Sequence, residues 1–509
     1  MMATHAHQSR RLERIVIVGG GSAGWMAAIY LNRYMRRMNG KVVLVESPTL
    51  GTIGVGEATI PSLVNFVRQL NLDEKEFMRR CSATFKLAIK FDGWGGNESS
   101  YWHSFGVCGS RIDGLDLLHF WLKRRLEAGS KLAYSDYSLQ ARLSEENKAP
   151  WPSGGTSRIA EAGAYAYHID AAAMGDYFKE IATGEGVQHL FGHVQNVALD
   201  EHGDIASLDI GGERAIPGDL FVDATGFSGR LIEKTLGDPW IDWSRYMLND
   251  SAVAMSVPRD DRFPPYTHAQ AMPAGWIWRI PLSSRIGTGY VHSSAHISAD
   301  EATAALIARS GLRRERSADP RLIKIRVGRR TNFWLRNCVS VGLASGFIEP
   351  LESTGIHLAL KAVTLLVNYL PDRDFSDALR RAYNARMAEV YDEIRDFIVL
   401  HYITAQRDEP FWRDARNVPL PDSLRETLAA YDETGRIDSA RLQLFPETSY
   451  YFILAGNGRY PRRPIVQADI ASPGEIWQIL DRIRTENREY TARMPSHNAF
   501  LADLHRTTF

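Results

Sequence analysis

The chain has 509 residues, of which 44% are hydrophobic and 24% are charged. This length exceeds one ordinary core and predicts two or three lobes, and the composition excludes a disordered, collagen-like or coiled-coil protein. The 60 basic residues balance the 60 acidic ones. We therefore expect no nucleic-acid partner, because such binding usually shows a basic excess.

The N-terminal segment predicts a nucleotide-binding unit. Ile15–Val18 is a β-branched run typical of a central parallel strand, and a helix is expected from Trp25 onward. A second apolar strand ends at Glu46. The glycine-rich segment from Gly51 to Thr59 predicts a loop, and the apolar spacing over residues 63–81 predicts one helix.

Farther along the chain, the pattern changes from strands to helices. We expect a mixed segment over 100–165, short strands over 187–223, antiparallel strands over 250–292, a strand over 339–343 and a long helix from Ile356. Beyond Pro371 the pattern is helical to about 435, irregular and aromatic to 465, and helical again over 473–490. No internal repeat is visible.

The element order predicts an α/β fold. One lobe is a Rossmann-type, nucleotide-binding lobe with an antiparallel sheet, and the other is a mainly α-helical C-terminal lobe. We expect the first domain over 1–370, made discontinuous by substrate-facing strands inserted near 100–165 and 245–320. The second domain is expected over 371–509.

The turn after the first strand fits a dinucleotide. In Gly19-x-Gly21-x-x-Gly24 the first glycine makes the tight turn, the second admits the pyrophosphate and the third lets helix and strand pack closely. The helix N-terminus offers free N–H groups to the phosphates, and Glu46 is spaced to bind a ribose hydroxyl.

Two later strands end at Asp223 and just before Gly342-Leu343. The loops that follow them are expected to return to the cofactor, which favours FAD over NAD as the bound dinucleotide. The alternative is that these segments are ordinary loops that end the strands and do not contact a cofactor. The expected cofactor-binding residues are Gly19, Gly21, Ser22, Ala23, Gly24, Glu46, Ala58, Asp223, Gly342 and Leu343. A second glycine fingerprint is missing from the sequence, so a resident NAD(P)H site is not expected.

Cysteine content and hydropathy exclude other classes of protein. Cys81, Cys108 and Cys338 are too few and too scattered for a disulfide framework or a metal clip, so no metal is expected. No apolar run approaches the roughly 20 residues that span a bilayer, and the polar start lacks a signal-peptide core. We expect a cytoplasmic protein without membrane contact.

Four motifs carry a resemblance to a known family. The sequence contains Gly54–Pro61, Thr84-Phe85-Lys86, the WxWxIP pattern of Trp276, Trp278, Ile280 and Pro281, and Phe347–Gly355. In this order they resemble the signatures of the flavin-dependent halogenases, the tryptophan halogenase family. The resemblance runs from about residue 14 to at least 370 and fades in the C-terminal third. It implies that the first lobe is an FAD-binding lobe like that of the aromatic hydroxylases, and that the helical C-terminal lobe binds substrate.

The resemblance implies a reaction in which FADH₂ and O₂ oxidise chloride or bromide to hypohalous acid, which then halogenates an aromatic carbon. It makes Lys86 the catalytic lysine. An ammonium would hydrogen-bond the oxidant, whereas a neutral amine would form a haloamine and requires a pKa below the ordinary value of about 10.4. Both routes stay open. Lys90 is interpreted as a surface residue.

The same resemblance assigns the loop before the helix at Ile356. Glu352 is the carboxylate that stabilises the arenium cation and helps remove its proton, Ser353 helps to position the reacting groups, and the backbone N–H groups of Thr354 and Gly355 bind halide. Ser-Thr-Gly is also good helix-capping chemistry. Glu349 is the rival carboxylate.

The remaining expectations concern the substrate and the partners. Trp276 and Trp278 crowd the reactive edge of the flavin or simply pack in the core. Phe411, Trp412, Phe445, Tyr450, Tyr451 and Phe452 offer stacking surface or core packing. The tract that holds the amino-acid group of tryptophan is not recognisable, so we expect an indole-like aromatic rather than free tryptophan, a separate NAD(P)H-dependent flavin reductase, and a homodimer.

Two alternatives remain from the sequence alone. One is a single-component FAD monooxygenase that hydroxylates an aromatic; it would need its own access to a nicotinamide and has no use for Lys86. The other is a flavin-binding paralogue without halogenation activity, against which the presence of both Lys86 and Glu352 argues.

Overall fold

A computed structural model of the protein describes residues 11–49, 54, 56–152, 156–212, 215–259, 263–310, 319–469 and 472–506. Over this part of the chain, no helix combines the length and the apolar character that crossing a membrane requires. Most of the glycine loop at 51–55 lies outside the described residues.

The strands are short and form five sheets. In chain order they are β1 (Arg14–Val18), β2 (Lys41–Glu46), β3 (Glu57–Ala58), β4 (Thr84–Lys86), β5 (Ala88–Asp92), β6 (Ser100–Ser104), β7 (Ala166–Ile169), β8 (Gln188–Phe191), β9 (Asn196–Leu199), β10 (Ile205–Asp209), β11 (Ile216–Pro217), β12 (Leu220–Asp223), β13 (Trp240–Asp242), β14 (Ser251–Pro258), β15 (Tyr266–Met272), β16 (Gly275–Pro281), β17 (Arg285–His292), β18 (Arg321–Lys324), β19 (Gly328–Arg330), β20 (Trp334–Leu335), β21 (Cys338–Ser340) and β22 (Gly346–Phe347).

The helices cover one another and the faces of the sheets. They are α1 (Ser22–Arg37), α2 (Ser62–Gln69), α3 (Glu74–Arg80), α4 (Leu117–Ala128), α5 (Leu139–Glu145), α6 (Arg158–Glu161), α7 (Ala171–Gly184), α8 (Ala299–Ser310), α9 (Gly355–Asn368), α10 (Asp377–Thr404), α11 (Pro410–Arg416), α12 (Asp422–Thr434), α13 (Glu447–Gly456), α14 (Pro473–Arg493) and α15 (His497–Arg506).

A six-stranded sheet carries the nucleotide motif. Its order is β20-β21-β12-β1-β2-β8, and β1 pairs in parallel with β2 and β12. The last four residues of β1, Ile15–Val18, are all buried, as expected for a strand covered on both faces. The carboxyl ends of β1, β2, β12 and β21 therefore meet at one edge, which is where ligands bind in open α/β sheets.

A seven-stranded sheet, β18-β14-β17-β16-β15-β5-β6, carries the tryptophan motif on β16. It is antiparallel except for the β15–β5 pair. The small sheet β3-β7-β4 carries Lys86 at the end of β4, and the two other three-stranded sheets are β11-β10-β9 and β13-β19-β22. The fold is thus the predicted α/β architecture with a Rossmann-type lobe, an antiparallel sheet and a helical C-terminal part.

Four local predictions differ from the structure. The helix predicted over 63–81 is two helices, because Asn71 has a φ of +50° and Asp73 caps α3 through the Glu76 N–H. Residues 57–58, predicted as loop, pair with β7 as β3. The segment 100–165, where inserted strands were expected, contains one named strand near its start, β6, and its other described residues alternate between short helices and loops. The aromatic tract near 450, predicted as irregular, forms α13.

The core is continuous across the predicted domain boundary. One cluster of buried hydrophobic residues includes Ile17 of β1, Phe85 of β4, Leu366 of α9, Phe397 of α10 and Phe452 of α13. The division near residue 370 stays a prediction.

Candidate active site

The turn between β1 and α1 is shaped by glycine. Gly19 has a φ of +120°, and a Cβ there would lie 2.2 Å from the Ala224 carbonyl oxygen at the end of β12. A Cβ on Gly24 would lie 1.9 Å from the Gly19 carbonyl oxygen. Gly21 caps α1 without a side-chain hydrogen bond, so the first-turn N–H groups are left for an anionic ligand. The close packing around these glycines and the free N–H groups fit a turn in which a pyrophosphate lies against the backbone.

Loops from the neighbouring strands close the same edge. Gly342 has a φ of +68°, and a Cβ there would lie 2.9 Å from the Ala23 Cβ, so the loop after β21 approaches the start of α1. Ala58 is buried on β3. The Gly342 loop therefore lies against the start of α1, and the residues present fit FAD at this edge. That Gly342 and Leu343 contact the cofactor stays a prediction.

Three polar side chains expected near the cofactor already have protein partners. The Ser22 hydroxyl donates to the Ala171 carbonyl at 2.8 Å, which leaves its backbone N–H for a ligand. The buried Asp223 carboxylate accepts from the backbone N–H groups of Thr225, Leu231 and Ile232, so it holds the β12 loop. Glu46 lies 2.8 Å from His189 Nε2 and 3.4 Å from Lys179 Nζ.

Lys86 is completely buried at the end of β4. Its Nζ donates to the Thr59 carbonyl oxygen at 3.0 Å and to Ser353 Oγ at 2.8 Å, and it lies 5.1 Å from the centre of the Phe105 ring. Burial lowers the pKa of Lys86 to about 7, although the charge of Glu352 opposes this shift. Both protonation states are therefore accessible near neutral pH. Lys90, by contrast, is partly exposed beside Asp92.

The loop before α9 presents its groups in an unusual backbone conformation. Ser353 has a φ of +61°, a left-handed conformation that is uncommon for serine and concentrates at functional sites. Thr354 follows at the N-cap of α9; it is fully buried, and its Oγ1 has no hydrogen-bond partner among the described residues. A Cβ on Gly355 would meet no described atom within 4 Å. The start of α9 therefore combines free donors with open space.

Glu352 lies between two histidines from distant elements. His103 Nδ1 on β6 is 3.0 Å from Glu352 Oε1 and 2.9 Å from Oε2, and His401 Nε2 on α10 is 2.8 Å from Oε1. Burial alone would raise the pKa of Glu352, but His103 and then His401 outweigh it and lower this pKa to about 2. The carboxylate is thus ionised although only 2% of it is exposed.

Glu349 belongs to a separate network. Its Oε1 accepts from the Tyr402 hydroxyl at 2.5 Å and its Oε2 from Asn249 Nδ2 at 2.8 Å. Burial raises the pKa of Glu349. Consecutive residues of α10, His401 and Tyr402, therefore bind different glutamates of one loop. Of the two, Glu352 interacts electrostatically with Lys86.

The tryptophan motif is buried on β16. The rings of Trp276 and Trp278 lie 6.1 Å apart, and Gly289 on β17 leaves the space that Trp278 fills. Beyond Ile280, the Pro281 carbonyl oxygen accepts from Thr84 Oγ1 at 2.6 Å. The end of the motif is therefore tied to the strand that carries Lys86.

Aromatic side chains from α10 and α13 surround the Glu352 cluster. His103 contacts Phe397 and Phe452 with ring centres 5.7 and 6.0 Å apart, and Phe397 stacks on Phe445 at 4.0 Å and contacts Tyr450 at 4.9 Å. Trp412 instead packs on Trp94 and Tyr402 and donates to the Met272 carbonyl oxygen. Phe445, Tyr450 and Phe452, which the sequence analysis singled out, therefore lie near the Glu352 cluster, whereas Trp412 packs elsewhere in the same core.

Sequence analysis missed both histidines and Tyr402. His103 occupies no recognisable motif, and His401 is joined to Glu352 only by folding. One signal was present for His401, because it interrupts the apolar run Phe397–Leu400 and is followed by Ile403. A polar residue in the buried face of a helix requires a partner.

Comparison with known proteins gives a consistent result. The chain matches the family described as tryptophan halogenase over residues 14–473. It is 37% identical to a tryptophan 6-halogenase of Streptomyces toxytricini, in a match covering 97% of this chain and 99% of that protein. It is 35% identical to a tryptophan 7-halogenase of Lentzea aerocolonigenes, with 98% and 99% covered.

A solved structure is similar to this chain in both sequence and fold. A flavin-dependent halogenase from Xanthomonas campestris is 39% identical and superposes with a TM-score of 0.91, covering 97% of this chain and 99% of that chain.

Proposed function

Because the chain belongs to the tryptophan halogenase family and is a flavin-dependent halogenase, we propose that it uses reduced FAD, O₂ and chloride or bromide to halogenate an electron-rich, indole-like aromatic. A similar solved structure is described as a flavin-dependent halogenase, and the reduced flavin would be supplied to this chain by a separate NAD(P)H-dependent flavin reductase. One observation carries the proposal: the fully buried Lys86 amine is bonded to Ser353, the residue between Glu352 and the open start of α9.

The cofactor would be held by backbone more than by side chains. The N–H groups of Ser22, Ala23 and the glycine turn bind the pyrophosphate, Glu46 takes a ribose hydroxyl, and the Gly342-Leu343 loop covers the opposite side. When bound in its reduced form, FAD supplies, with O₂, the two-electron oxidation of halide.

Gly21→Val tests this site. Gly21 has φ −76° and ψ −179°, which valine adopts without strain, so the fold should be kept while the side chain blocks the pyrophosphate. We expect FAD affinity to fall by roughly 100-fold or more, measured by fluorescence titration. Gly184→Ala, whose added Cβ meets no described atom within 4 Å, is the control, and wild-type affinity in Gly21→Val contradicts the assignment.

The halide would bind at the start of α9. The N–H groups of Thr354 and Gly355 and the unpartnered Thr354 hydroxyl are donors without a competing base, in the positive end of the helix dipole.

Lys86 then controls the oxidised halogen. As an ammonium it donates a hydrogen bond to hypohalous acid; as an amine it attacks the halogen, with water leaving and a haloamine forming. Glu352 stabilises the positive charge of the arene and accepts its proton, while the C–H electron pair returns to the ring.

The pH dependence follows from the pKa of about 7 for Lys86. Below this pH the group is ammonium and above it the amine dominates, so we expect the single-turnover halogenation rate to inflect near pH 7. A rate that rises with pH identifies the amine as the working form, and one that falls identifies the ammonium. A flat profile from pH 6 to 9 contradicts the assigned role of Lys86.

An indole ring is the proposed substrate because the residues around Glu352 are aromatic: Phe397 and Phe452 pack against His103, and Phe445 stacks on Phe397. The charged groups of Lys86, Glu352 and His401 already have hydrogen-bond partners in the protein, so they are not available to hold an amino-acid group. The names of the curated relatives favour a second candidate, free tryptophan.

One assay tests both substrates. The protein, FAD, a generic NADH-dependent flavin reductase and bromide are incubated with indole, phenol or tryptophan, and products are read by the bromine isotope pattern. We expect reductase-dependent bromination with a larger kcat/KM for indole than for tryptophan. A larger value for tryptophan overturns the substrate proposal; NADH turnover without the reductase, or no brominated product, contradicts the function.

A further inference from the structure

The hydrogen-bond partners of His401 limit where the protons of His401 and Glu352 can lie. His401 is fully buried, and its Nδ1 lies 2.7 Å from the carbonyl oxygen of Phe397, one turn earlier in α10. A carbonyl oxygen can only accept a hydrogen bond, so Nδ1 carries a proton. The opposite nitrogen, Nε2, lies 2.8 Å from Glu352 Oε1. A carboxylate oxygen also only accepts, so this contact requires one more proton.

That proton can be on either partner. Either His401 is an imidazolium facing a carboxylate, or a neutral His401 accepts from a protonated Glu352. His103 Nδ1 lies within 3.0 Å of both Glu352 oxygens and stabilises the carboxylate by donating to it. His401 is in addition attracted by Glu349, which interacts with it electrostatically. Because His103 Nδ1 lies within hydrogen-bond distance of both Glu352 oxygens, the geometry fits a carboxylate and places the extra proton on His401.

The other groups facing Glu352 agree with this distribution. Lys86 interacts with it electrostatically from β4. The Tyr101 phenol on β6 is buried, and its raised pKa keeps it neutral. The pKa of Glu352, about 2, is far below that of a buried carboxyl without partners, which rises to about 8–9.

We infer that His401 is a positioning residue that donates a hydrogen bond from a doubly protonated ring to Glu352 and thereby keeps this carboxylate ionised and oriented towards the substrate. The inference rests on the proposed role of Glu352. In the arene step the proton moves from the ring carbon to Glu352, while His401 keeps both of its protons. A protonated Glu352 would offer neither the negative charge nor the acceptor.

Two substitutions separate the hydrogen bond from the packing of the ring. His401→Leu removes the donor, whereas His401→Gln retains an N–H that can reach Glu352 and does not titrate. The control is His119→Leu, which removes another buried histidine, on α4. All variants are compared as folded protein with FAD, using circular dichroism, FAD affinity and thermal unfolding.

The first readout is the protonation of Glu352, followed by the infrared carboxyl band in protein labelled with ¹³C-glutamate and assigned by its loss in Glu352→Gln. We expect wild type, His401→Gln and His119→Leu to show no protonated Glu352 from pH 8 to pH 5. His401→Leu should show the band of protonated Glu352 at the acid end of this range, where wild type shows none. A carboxylate that stays ionised to pH 5 in folded His401→Leu overturns the inference.

The second readout is steady-state bromination of indole at pH 6, with the flavin reductase in excess. For His401→Leu we expect kcat to fall by roughly 30-fold with KM for indole within about 2-fold, and the loss to lessen towards pH 8 as Glu352 ionises. His401→Gln should stay within about 5-fold of wild type. Equal losses in both His401 variants overturn the inference. If wild type brominates nothing, the proposed function fails, and the infrared titration still decides whether His401 keeps Glu352 ionised.

Discussion

Lys86→Leu is expected to lower the rate of halogenated product formation by roughly 10³-fold, the range found when a group acting on the reacting atoms is removed. Leucine fills the space of the aliphatic stem and has no sulfur that hypohalous acid would oxidise. FAD binding and the oxidation of FADH₂ should stay at wild-type levels, because Lys86 contacts Thr59 and Ser353 rather than the glycine turn. Single-turnover mass spectrometry measures the loss.

Lys90→Leu is the matched control for this variant. Lys90 lies on the next strand, β5, is partly exposed and pairs with Asp92 at 3.6 Å. Because a partly exposed ion pair contributes little to the free energy of unfolding, its loss should not disturb the fold. We expect wild-type halogenation in Lys90→Leu. Product formed by Lys86→Leu at more than about a tenth of the wild-type rate would contradict the assigned role of the buried amine.

Glu352→Gln is the second substitution with a large expected effect. Glutamine keeps the shape but removes the charge that stabilises the arenium cation and accepts its proton, so we expect the arene step to slow by roughly 10²-fold. Oxidation of FADH₂ should continue, and the measured quantity is the amount of halogenated arene per FADH₂ consumed.

Glu349→Gln distinguishes the two glutamates of the loop. Glu349 is held by Tyr402 and Asn249 and does not bond to either histidine of the Glu352 cluster. We expect this variant to lose stability, because a buried network loses its charged acceptor, while the halogenated product per FADH₂ stays close to wild type. The opposite pattern would make Glu349 the reactive carboxylate.

Local sequence patterns predicted much of the fold. Ile15–Val18, the glycine turn and the strand ending at Glu46 form one βαβ unit in which neighbouring residues decide the structure. The antiparallel strands around Trp276 were equally visible. The division of the predicted helix into two helices at Asn71 was not visible, because in the sequence an asparagine at positive φ looks like any other polar residue inside a helical pattern.

The candidate site was only partly predictable. Lys86, Glu352 and Ser353 lie in short motifs that resemblance to the family identifies, and the structure brings them together. His103 and His401 are 249 and 49 residues from Glu352 in the sequence, and their contacts depend on how β6 and α10 pack around the loop. No local pattern encodes such pairs.

The central claim is that the oxidised halogen passes inside the protein, by way of the buried Lys86, to the arene. It is tested most directly by a single turnover of the wild-type protein with FADH₂, bromide and indole in the presence of increasing free methionine, which consumes hypobromous acid in solution. We predict that the yield of bromoindole does not change. A yield that falls towards zero as methionine increases would show that the oxidant reaches the arene through bulk water, and would contradict the claim.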